Sequence, residues 1–394
     1  MKKQLIIFSA FCLICMANVA MALDSVGGVQ IHGFISQGFL YSDEYNYLAH
    51  NSTDGSFEYN EFGINFAKDL TDRMHIGLQF FSRDMGDVGN NTVVVDWAYG
   101  DYFIWDWLGI RAGRIKTPLG FYNEIRDVDI LRPNIVLPQG VYSDFIRDTV
   151  IGMYGIELYG NADMGVAGEL SYQLQAGSVT NNNESGLSKY VDNYLQVSSG
   201  ARLSSDIEFE GAYCASIRYD TPIGLRFGYS ILTSKNSHTI DALGIRKLDA
   251  TYTFNVASAE YAWDDLLVTV EYMRRNHDLK IEGLPEELDP VHESYYLSAS
   301  YRFTDLFTLG AYYSVTYPDD ENKDGEKNPA GLEHRSWEKD LALTMRFNLS
   351  AYCSFKIEGH YVDGTANVMY ADNAESDWNE DKWYYVASKL SFAF

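Results

Sequence analysis

The feature that most constrains this chain is an alternation of apolar and polar residues that recurs along segments of about ten residues. Successive side chains of a β-strand point to opposite faces, so each segment is typical of a strand with one apolar and one polar face. In one segment, Leu341, Leu343 and Met345 alternate with Thr344 and Arg346. The pattern predicts sixteen strands, at about residues 28–41, 57–68, 74–83, 91–104, 109–116, 149–160, 165–179, 207–220, 224–235, 246–262, 266–276, 292–303, 306–316, 338–348, 352–363 and 382–394.

The connections between these strands alternate between short turns and long loops. The long connections cover about 42–56, 84–90, 117–148, 180–206, 236–245, 277–291, 317–337 and 364–381. An even strand number, with tight turns at one end and long loops at the other, is typical of bacterial membrane barrels, whereas a soluble Greek-key sandwich does not sort its loops in this way. We therefore predict an all-β fold, a transmembrane antiparallel up-and-down β-barrel, closed because an open sheet edge in lipid leaves backbone groups unpaired.

The N-terminal residues have the pattern of an export signal. Lys2 and Lys3 precede an apolar stretch over 5–16, which is too short to cross a bilayer as a helix. Ala20, Met21 and Ala22 then supply the small-x-small pattern of a secretory cleavage site. We predict a signal peptide over 1–22 and a single barrel domain over 23–394.

Charge and composition restrict the partners of the chain. There are 30 Lys and Arg residues against 55 Asp and Glu residues, for a formal net charge of −25. Nucleic-acid binding depends on basic residues that neutralise phosphates, so we expect no nucleic-acid partner. The chain is 46% apolar, which is ordinary for a folded protein. Outside the predicted signal peptide, the only cysteines are Cys214 and Cys353, which lie far apart in sequence and are expected to be unpaired.

Aromatic residues make up 15% of the chain and cluster near the predicted strand ends. Trp105, Trp107 and Trp263 lie beside short turns, and Trp337, Trp378 and Trp383 lie beside long loops. Aromatic belts at both faces of a membrane barrel have this distribution, so we expect these residues at the lipid interfaces.

A barrel of this strand number leaves a water-filled interior. The polar faces of the predicted strands carry charges of both signs, as expected for the wall of an aqueous lumen. The basic residues are Arg111, Arg218, Arg226, Arg302, Arg346 and Lys356, and the acidic residues are Glu157, Glu169, Glu208, Glu210, Glu271 and Glu358.

The third long connection, about 117–148, is the longest and carries apolar residues that a solvated loop seldom has. These apolar residues favour folding of the connection into the lumen, where it would narrow the channel; they are Leu131, Ile135, Val136 and Leu137. Its acidic residues would then face basic residues and set up a transverse field that small ions of either sign can cross. The predicted constriction comprises Arg111, Arg114, Lys116, Glu124, Arg126, Asp127, Asp129 and Arg132.

The last strand ends on a terminal aromatic residue. Leu390, Phe392 and Phe394 lie on its apolar face, while Lys389 and Ser391 lie on the other. This ending resembles the assembly signal of Gram-negative outer-membrane barrels, which implies that the chain is a substrate of the barrel-assembly machinery.

Taken together, the signal peptide, sixteen strands, long third loop and terminal phenylalanine resemble a Gram-negative porin. The run GRIKTPLG at 113–120 is similar to the strand-to-loop passage of phosphate-selective and related porins. The resemblance implies a homotrimer in the outer membrane, in contact with lipid bilayer and lipopolysaccharide, that passes small hydrophilic solutes by diffusion. Phosphate-selective members carry an arginine and lysine ladder, whereas the inward charges here are nearly balanced.

Three functions remain open at this point. The first is a general diffusion channel, the second is a channel that prefers small anions such as phosphate or carboxylates, and the third is a plugged barrel that acts as an adhesin or enzyme. No H-E-x-x-H motif or Cys/His cluster with zinc spacing occurs, so we expect no enzyme activity, cofactor or metal site. Residues 320–325 match the front of a calcium loop, but Gly331 occupies the position of the bidentate glutamate, and we interpret them as a solvated loop tip.

Overall fold

The computed structural model describes residues 27–86, 88–105, 107–180, 186–205, 207–241, 244–283, 288–373, 376 and 378–394. The predicted signal peptide, 1–22, lies outside the described residues. Within the described residues, no helix combines the length and apolar character needed to cross a membrane.

Seventeen strands account for most of the described chain. They are β1 Gln30–Ser42, β2 Tyr59–Thr71, β3 Met74–Met85, β4 Val94–Trp105, β5 Leu108–Lys116, β6 Gly152–Asp163, β7 Glu169–Ser178, β8 Arg202–Leu203, β9 Glu208–Asp220, β10 Leu225–Asp241, β11 Ile245–Trp263, β12 Leu266–Ile281, β13 Val291–Arg302, β14 Phe307–Tyr317, β15 Glu338–Ser350, β16 Cys353–Gly364 and β17 Lys382–Ala393. All except the two-residue β8, which pairs with the end of β10, follow one another as antiparallel neighbours.

The sheet closes on itself because β1 pairs on both sides. Phe34 of β1 lies opposite Gly63 of β2 and opposite Ala393 of β17. The backbone N–H of Phe394 donates to Gly33 O at 2.9 Å, and Gly33 N–H donates to Phe394 O at 3.1 Å. Sixteen strands thus form a barrel without an open edge, which confirms the predicted fold class and satisfies the backbone requirement of a lipid environment.

The two faces of the strands are opposite in character to those of a soluble sheet protein. Along β12, Glu271 and Arg275 are buried, whereas Val270 and Tyr272 are exposed on the other face. Large apolar residues are exposed in the same way around the barrel, for example Leu297, Leu341, Leu343, Leu174 and Ile217. The outer surface is therefore apolar and the interior is polar, as a lipid-facing barrel requires.

One connection differs from the sequence prediction. Residues 236–245 were expected to form a long loop, but β10 extends to Asp241 and β11 begins at Ile245. The outer face of the neighbouring β12 changes there from Val270 and Tyr272 to the polar residues Arg274 and Asp278. The outer residues beyond this point are polar, so the ends of β10, β11 and β12 lie past the apolar band. The β10–β11 hairpin therefore projects at the long-loop end of the barrel.

A β-bulge reverses the predicted faces at the start of β9. Pairing with β10 shifts between Lys235 and Asn236, which oppose Gly211 and Phe209 and leave Glu210 without a partner residue in the register. A one-residue shift moves every preceding side chain to the other face. Glu208 and Glu210 are therefore exposed instead of lining the lumen, and Ile207 is buried.

The tryptophans at the two barrel ends have different environments. Trp105, Trp107 and Trp263, beside short turns, are exposed as an interfacial belt requires. Trp378 and Trp383, beside long loops, are buried instead, and they pack against aromatic residues of the first long connection, Tyr45 and Tyr47. The expectation that they lie at the lipid interface was wrong, because the long connections pack on one another inside the barrel mouth and bury these rings.

Two helices lie in the long connections. Helix α1, Arg147–Val150, ends the third connection, and helix α2, Gly186–Ser199, lies in the fourth. Leu187 and Leu195 of α2 are buried against inner residues of β10–β12. Neither Cys214 nor Cys353 forms a disulfide within the described chain.

Charge placed on the outer face should destabilise the barrel according to its depth. Leu297 is exposed in the middle of β13, and Leu297→Arg is expected to lower the free energy of unfolding by about 2–4 kcal/mol. Ile245 is exposed at the long-loop end of β11, and the matched Ile245→Arg should cost only about 0–1 kcal/mol. Urea-induced unfolding in lipid vesicles measures both values. Equal losses for the two variants would contradict the assignment of the outer face.

Candidate functional site: the third connection inside the barrel

The third long connection crosses the interior of the barrel. We call residues 117–151, between β5 and β6, the inner segment. Its Gly120 N–H donates to Ser230 Oγ of β10 at 2.9 Å, and its Arg132 Nη2 lies 3.8 Å from Glu61 Oε2 of β2. In the closed order of sixteen strands, β2 and β10 lie on nearly opposite sides. One segment reaches both walls only by passing through the lumen.

The first part of the inner segment is attached to β12 through Glu271. This carboxylate is buried and accepts from Phe121 N–H at 2.9 Å. Tyr142, also in the inner segment, donates its hydroxyl to the same carboxylate, as does Tyr296 of β13 at 2.7 Å. Glu271, predicted as a lumen-wall residue, therefore holds two parts of the inner segment in place.

Lys356 of β16 holds the tip of the inner segment. Its ammonium group is fully buried and donates to three backbone carbonyls, those of Asp129 at 2.7 Å, Arg132 at 2.8 Å and Asn134 at 3.3 Å. It also lies 3.1 Å from the Asp129 carboxylate, which accepts from Ser391 Oγ at 2.6 Å. An ammonium group has three donors, and the curved backbone of the tip supplies acceptors for all of them.

Glu358, two residues further along β16, binds the same tip with the opposite polarity. Its two carboxylate oxygens accept from Ile135 N–H at 2.9 Å and Val136 N–H at 2.8 Å. Ile135 and Val136 are fully buried, so the sequence correctly indicated that they pack inward. Leu131 does not follow this expectation, since it is 56% exposed and lines a cavity of about 610 Å³ at the short-turn end.

The base of the inner segment is held by a second group of buried charges. Asp127 accepts from Lys116 Nζ at 2.9 Å and from Arg147 Nε at 2.6 Å. Arg147 also contacts Asp96 of β4 at 2.8 Å. Arg126 donates to Asp144 at 2.9 Å, within the inner segment itself.

These contacts set the ionisation of the loop carboxylates. Burial alone would raise the pKa of Asp127, but the adjacent Arg147 and Lys116 hold it well below its usual value. Burial opposes ionisation of Asp129 in the same way, and Lys356, Lys389 and Arg132 lower its pKa. Both carboxylates are therefore ionised at neutral pH and act as anions in the network.

The predicted constriction residues separate into three groups. Lys116, Arg126, Asp127, Asp129 and Arg132 belong to the buried network, where they bind one another and the wall. Arg114 is buried against the wall, where its Nε–H donates to the backbone oxygen of Asp96 at 2.8 Å. Arg111 and Glu124 instead line a polar cavity of about 320 Å³.

This polar cavity lies between the inner segment and β5–β7, β9 and β10. It also brings in Arg218 and Arg226, which were predicted as lumen-wall residues. Arg111 lies 3.2 Å from Asp101 and 2.8 Å from Glu157. Asp220 accepts from both Arg218 at 2.9 Å and Arg226 at 2.8 Å, and Arg226 also lies 3.2 Å from Glu260. The cavity is thus lined by three guanidinium groups and the Glu124 carboxylate, and further carboxylates pair with these arginines.

The other two predicted wall residues lie at the short-turn end. Arg302 is exposed and pairs with Asp265 of the adjoining turn at 2.6 Å. Arg346 donates to the backbone oxygen of Arg132 at 3.1 Å and lines the cavity beside Leu131. Arg346 therefore touches the tip of the inner segment, whereas Arg302 does not contribute to the narrow part of the lumen.

Several residues of the network were missed in the sequence. They are Glu61, Asp96, Asp101, Asp144, Arg147 and Lys389. Lys389 was identified on the polar face of the last strand, and its charge was the available signal. Asp96 is charged too, but it lies at a bulge where Gln79 and Phe80 pair with Trp97 and Val95, so the alternation of β4 does not show which face it occupies.

A calcium site is not formed by residues 320–325. The side chain of Asn322 is buried in hydrogen bonds to Asn328, Ser336 and Lys327 N–H. Across the described part of the chain, no group of three or more His, Cys, Asp or Glu residues is arranged to hold a metal ion.

No protein-family model matches the sequence, and no curated protein sequence matches it. Solved structures do match the fold. OmpT of Vibrio cholerae, expressed in the outer membrane, is 11% identical; the match covers 94% of this chain and 99% of that chain, with a TM-score of 0.58. The anion-selective porin from Comamonas acidovorans is 12% identical over 93% of this chain and 99% of that chain, with a TM-score of 0.58.

The outer membrane channel DcaP of Acinetobacter baumannii gives a similar result, with 11% identity, coverage of 94% and 99% of the two chains, and a TM-score of 0.56. At such identities the likeness concerns the fold. The chain has the closed sixteen-stranded barrel of Gram-negative outer-membrane porins, as the sequence predicted.

The depressed pKa of Asp129 predicts a specific acid sensitivity. A carboxyl with a lowered pKa in the folded state stabilises the fold above its unfolded pKa, about 3.9, and this contribution is lost as pH falls toward the folded value. Asp129→Asn leaves Lys356 without its carboxylate partner and should cost about 3–5 kcal/mol at pH 7. The difference between wild type and variant should shrink below about pH 4.

Urea unfolding in lipid vesicles, followed by tryptophan fluorescence across this pH range, measures the effect. Asp265→Asn removes an exposed partner of Arg302 and serves as the control, with an expected cost of about 0–1 kcal/mol. A constant difference between Asp129→Asn and wild type at all pH values would refute the role of this ion pair.

Proposed function

We propose that this protein is an outer-membrane channel through which small hydrophilic solutes and ions diffuse passively. The observation that carries the proposal is the passage of the inner segment across a polar lumen, with a charged cavity of about 320 Å³ left beside it. A barrel of this strand number is wider than small solutes, so an internal narrowing is what gives it a size limit.

In this proposal the solute contacts the residues of the polar cavity. Arg111, Glu124, Arg218 and Arg226 line it and are partly accessible. Five of the remaining predicted constriction residues hold the inner segment in place, and we assign them a positioning role; they are Lys116, Arg126, Asp127, Asp129 and Arg132. Such an arrangement separates the charges that fix the width of the passage from those that meet the solute.

The charge balance of the cavity favours cations. The guanidinium groups of Arg111, Arg218 and Arg226 are each paired with at least one carboxylate. The carboxylates in or next to the cavity outnumber them; these are Asp101, Glu124, Glu157, Asp220 and Glu260. Burial raises the pKa of Glu124, so its contribution weakens as pH falls. We therefore propose a weak preference for cations near neutral pH.

The proposed location is the outer membrane of a Gram-negative cell, reached with a signal peptide and the barrel-assembly machinery. The exposed apolar band supports contact with lipid, and the acidic surface would meet lipopolysaccharide through bridging divalent cations. A homotrimer is the proposed assembly, and the terminal residues Leu390, Phe392 and Phe394 are the proposed assembly signal.

A preference for small anions is the second candidate. One neighbour in fold is described as anion-selective, and arginines line the cavity of this chain. The surrounding carboxylates argue against the same preference here. We also propose that the chain is a channel and not a barrel enzyme or adhesin, and the recording below separates these classes.

Purified protein in a planar bilayer should give discrete conductance steps. Deleting residues 125–137 should raise the conductance of each step by about twofold or more, because the tip that crosses the lumen is removed. The control is the deletion of 320–332, which has the same length but lies in the seventh long connection and should leave the step size unchanged.

Retained heat-modifiable migration on gels shows that each deletion variant still folds. A folded wild type without conductance steps would rule out the channel and favour a plugged barrel. Equal step sizes for wild type and the 125–137 variant would mean that the inner segment does not limit the passage.

Ion preference should respond to the cavity arginines. Replacing both Arg218 and Arg226 with glutamine leaves Asp220 and Glu260 unopposed, so the reversal potential under a KCl gradient should shift toward the cation value. The shift should be largest near 0.1 M salt and small near 1 M, where screening shortens the reach of a charge from about 10 Å to about 3 Å.

Lys247→Gln removes an exposed lysine on the projecting hairpin and is the matched control. It should leave the reversal potential unchanged. A shift of the same size in both variants would mean that the overall charge of the protein, and not the cavity, sets the preference.

A further inference from the structure

A second, apolar cavity lies between helix α2 and the inner face of β9–β12. It has a volume of about 70 Å³. Its walls are mainly aliphatic and aromatic, with Leu187, Val191 and Leu195 from α2 and Leu232, Leu248 and Phe254 from the strands. The cavity is separate from the polar cavity on the other side of the inner segment, with which it shares no lining residue.

Arg275 of β12 lines this apolar cavity and is only 5% exposed. Its Nη2 contacts the Tyr190 hydroxyl at 3.3 Å and His292 Nδ1 at 3.2 Å. Neither the hydroxyl nor a neutral imidazole carries a negative charge. Its Nε–H has no hydrogen-bond acceptor. Among the residues that the structure describes, no carboxylate lies within ion-pair distance of Arg275.

Other arginines that are at least as deeply buried as Arg275 are paired with carboxylates. Arg83, Arg126 and Arg147 each lie within 3.7 Å of at least one carboxylate. A guanidinium remains charged at any physiological pH, and a buried charge without a counter-ion is costly. Two further polar atoms at the cavity wall lack partners, Asn236 Oδ1 and His277 Nε2. The wall thus presents one positive charge without a counter-ion, and this guanidinium group lies over the rings of Tyr190 and Phe254.

We infer that this cavity is a binding site for a small monocarboxylate with a short hydrocarbon tail. The carboxylate supplies the counter-ion and the acceptor that Arg275 Nε–H lacks, and the tail contacts Leu187, Val191 and Leu232. A charge-assisted pair of this kind is strong where water is excluded. The site is distinct from the proposed permeation cavity, and the binding does not require the protein to conduct.

The size of the cavity limits the tail. An apolar cavity of about 150 Å³ accommodates benzene, and this one has about half that volume. Benzene has six heavy atoms, so a ligand of roughly three to four heavy atoms, carboxylate included, is the expected fit, and acetate meets this limit. A dicarboxylate would place its second charge against aliphatic side chains, and a neutral amide would leave Arg275 without a counter-ion, so both should bind more weakly.

Isothermal titration of the full-length barrel in detergent with sodium acetate tests the inference. Wild type should bind acetate at least about tenfold more tightly than acetamide or malonate. Arg275→Gln should weaken acetate binding by about tenfold or more. Arg274→Gln is the matched control, because Arg274 is the next residue on the outer face and pairs with Asp320 at 2.9 Å.

A second variant tests the cavity without removing the charge. Val191→Phe adds a ring to the α2 wall and should abolish acetate binding while Arg275 remains. Heat-modifiable migration reports that each variant is folded. Absence of acetate binding to wild type, equal affinity for acetamide, or unchanged affinity in Arg275→Gln would each overturn the inference. None of these outcomes depends on conductance, so the proposed channel function stands or falls separately.

Discussion

The pairing of the first and last strands is the constraint on which the rest of the structure depends. In lipid, an unpaired edge would leave a row of N–H and C=O groups without partners, each costing several kcal/mol. Pairing of β1 with β17 removes that edge and makes the sheet a tube. A tube of sixteen strands is too wide for its wall side chains to fill, so its interior has to be occupied by water or by another part of the chain. The inner segment occupies part of it, and the contacts that hold this segment follow from the polar character of the inner wall.

Those contacts are mostly ionic, which is unusual for a packed interior. Buried ion pairs repay the cost of desolvation only when hydrogen bonds satisfy the remaining donors and acceptors. Lys356 meets this condition with three backbone carbonyls, and Glu358 meets it with two backbone N–H groups. Both residues bind backbone atoms of the tip, so they fix the path of the segment itself and not only its side chains. The two N–H groups that Glu358 binds belong to the apolar residues Ile135 and Val136, which are themselves buried.

The sequence predicted the barrel well because the strand signal is local. Alternation in β15, for example Leu343 beside Thr344, needs no knowledge of distant residues, and the structure keeps it. Faces were assigned wrongly where pairing contains a bulge, as before Gly211 in β9, because the extra residue is visible only in the register with β10. The pairing partners of charged residues within the lumen could not be predicted from the sequence either. Arg126 pairs with Asp144 because of the way the inner segment bends, and the sequence shows which residues are charged but not where they lie in space.

Most buried charges in the barrel are paired, so the charges that depart from this pattern are the ones that indicate function. A charge that pairs between the wall and the inner segment, such as Lys356 with Asp129 or Arg147 with Asp96, has its electrostatic effect largely cancelled and contributes to shape. The polar cavity and Arg275 depart from this rule in different ways. Around Arg111 and Arg226 the carboxylates outnumber the guanidinium groups, so a field persists in the proposed permeation cavity. At Arg275 a single charge persists where water is largely excluded, which favours a bound anion over a passing one. We therefore propose that the same barrel wall supports transient contacts at one position and specific binding at another, and that the difference arises from the local balance of charge and exposure.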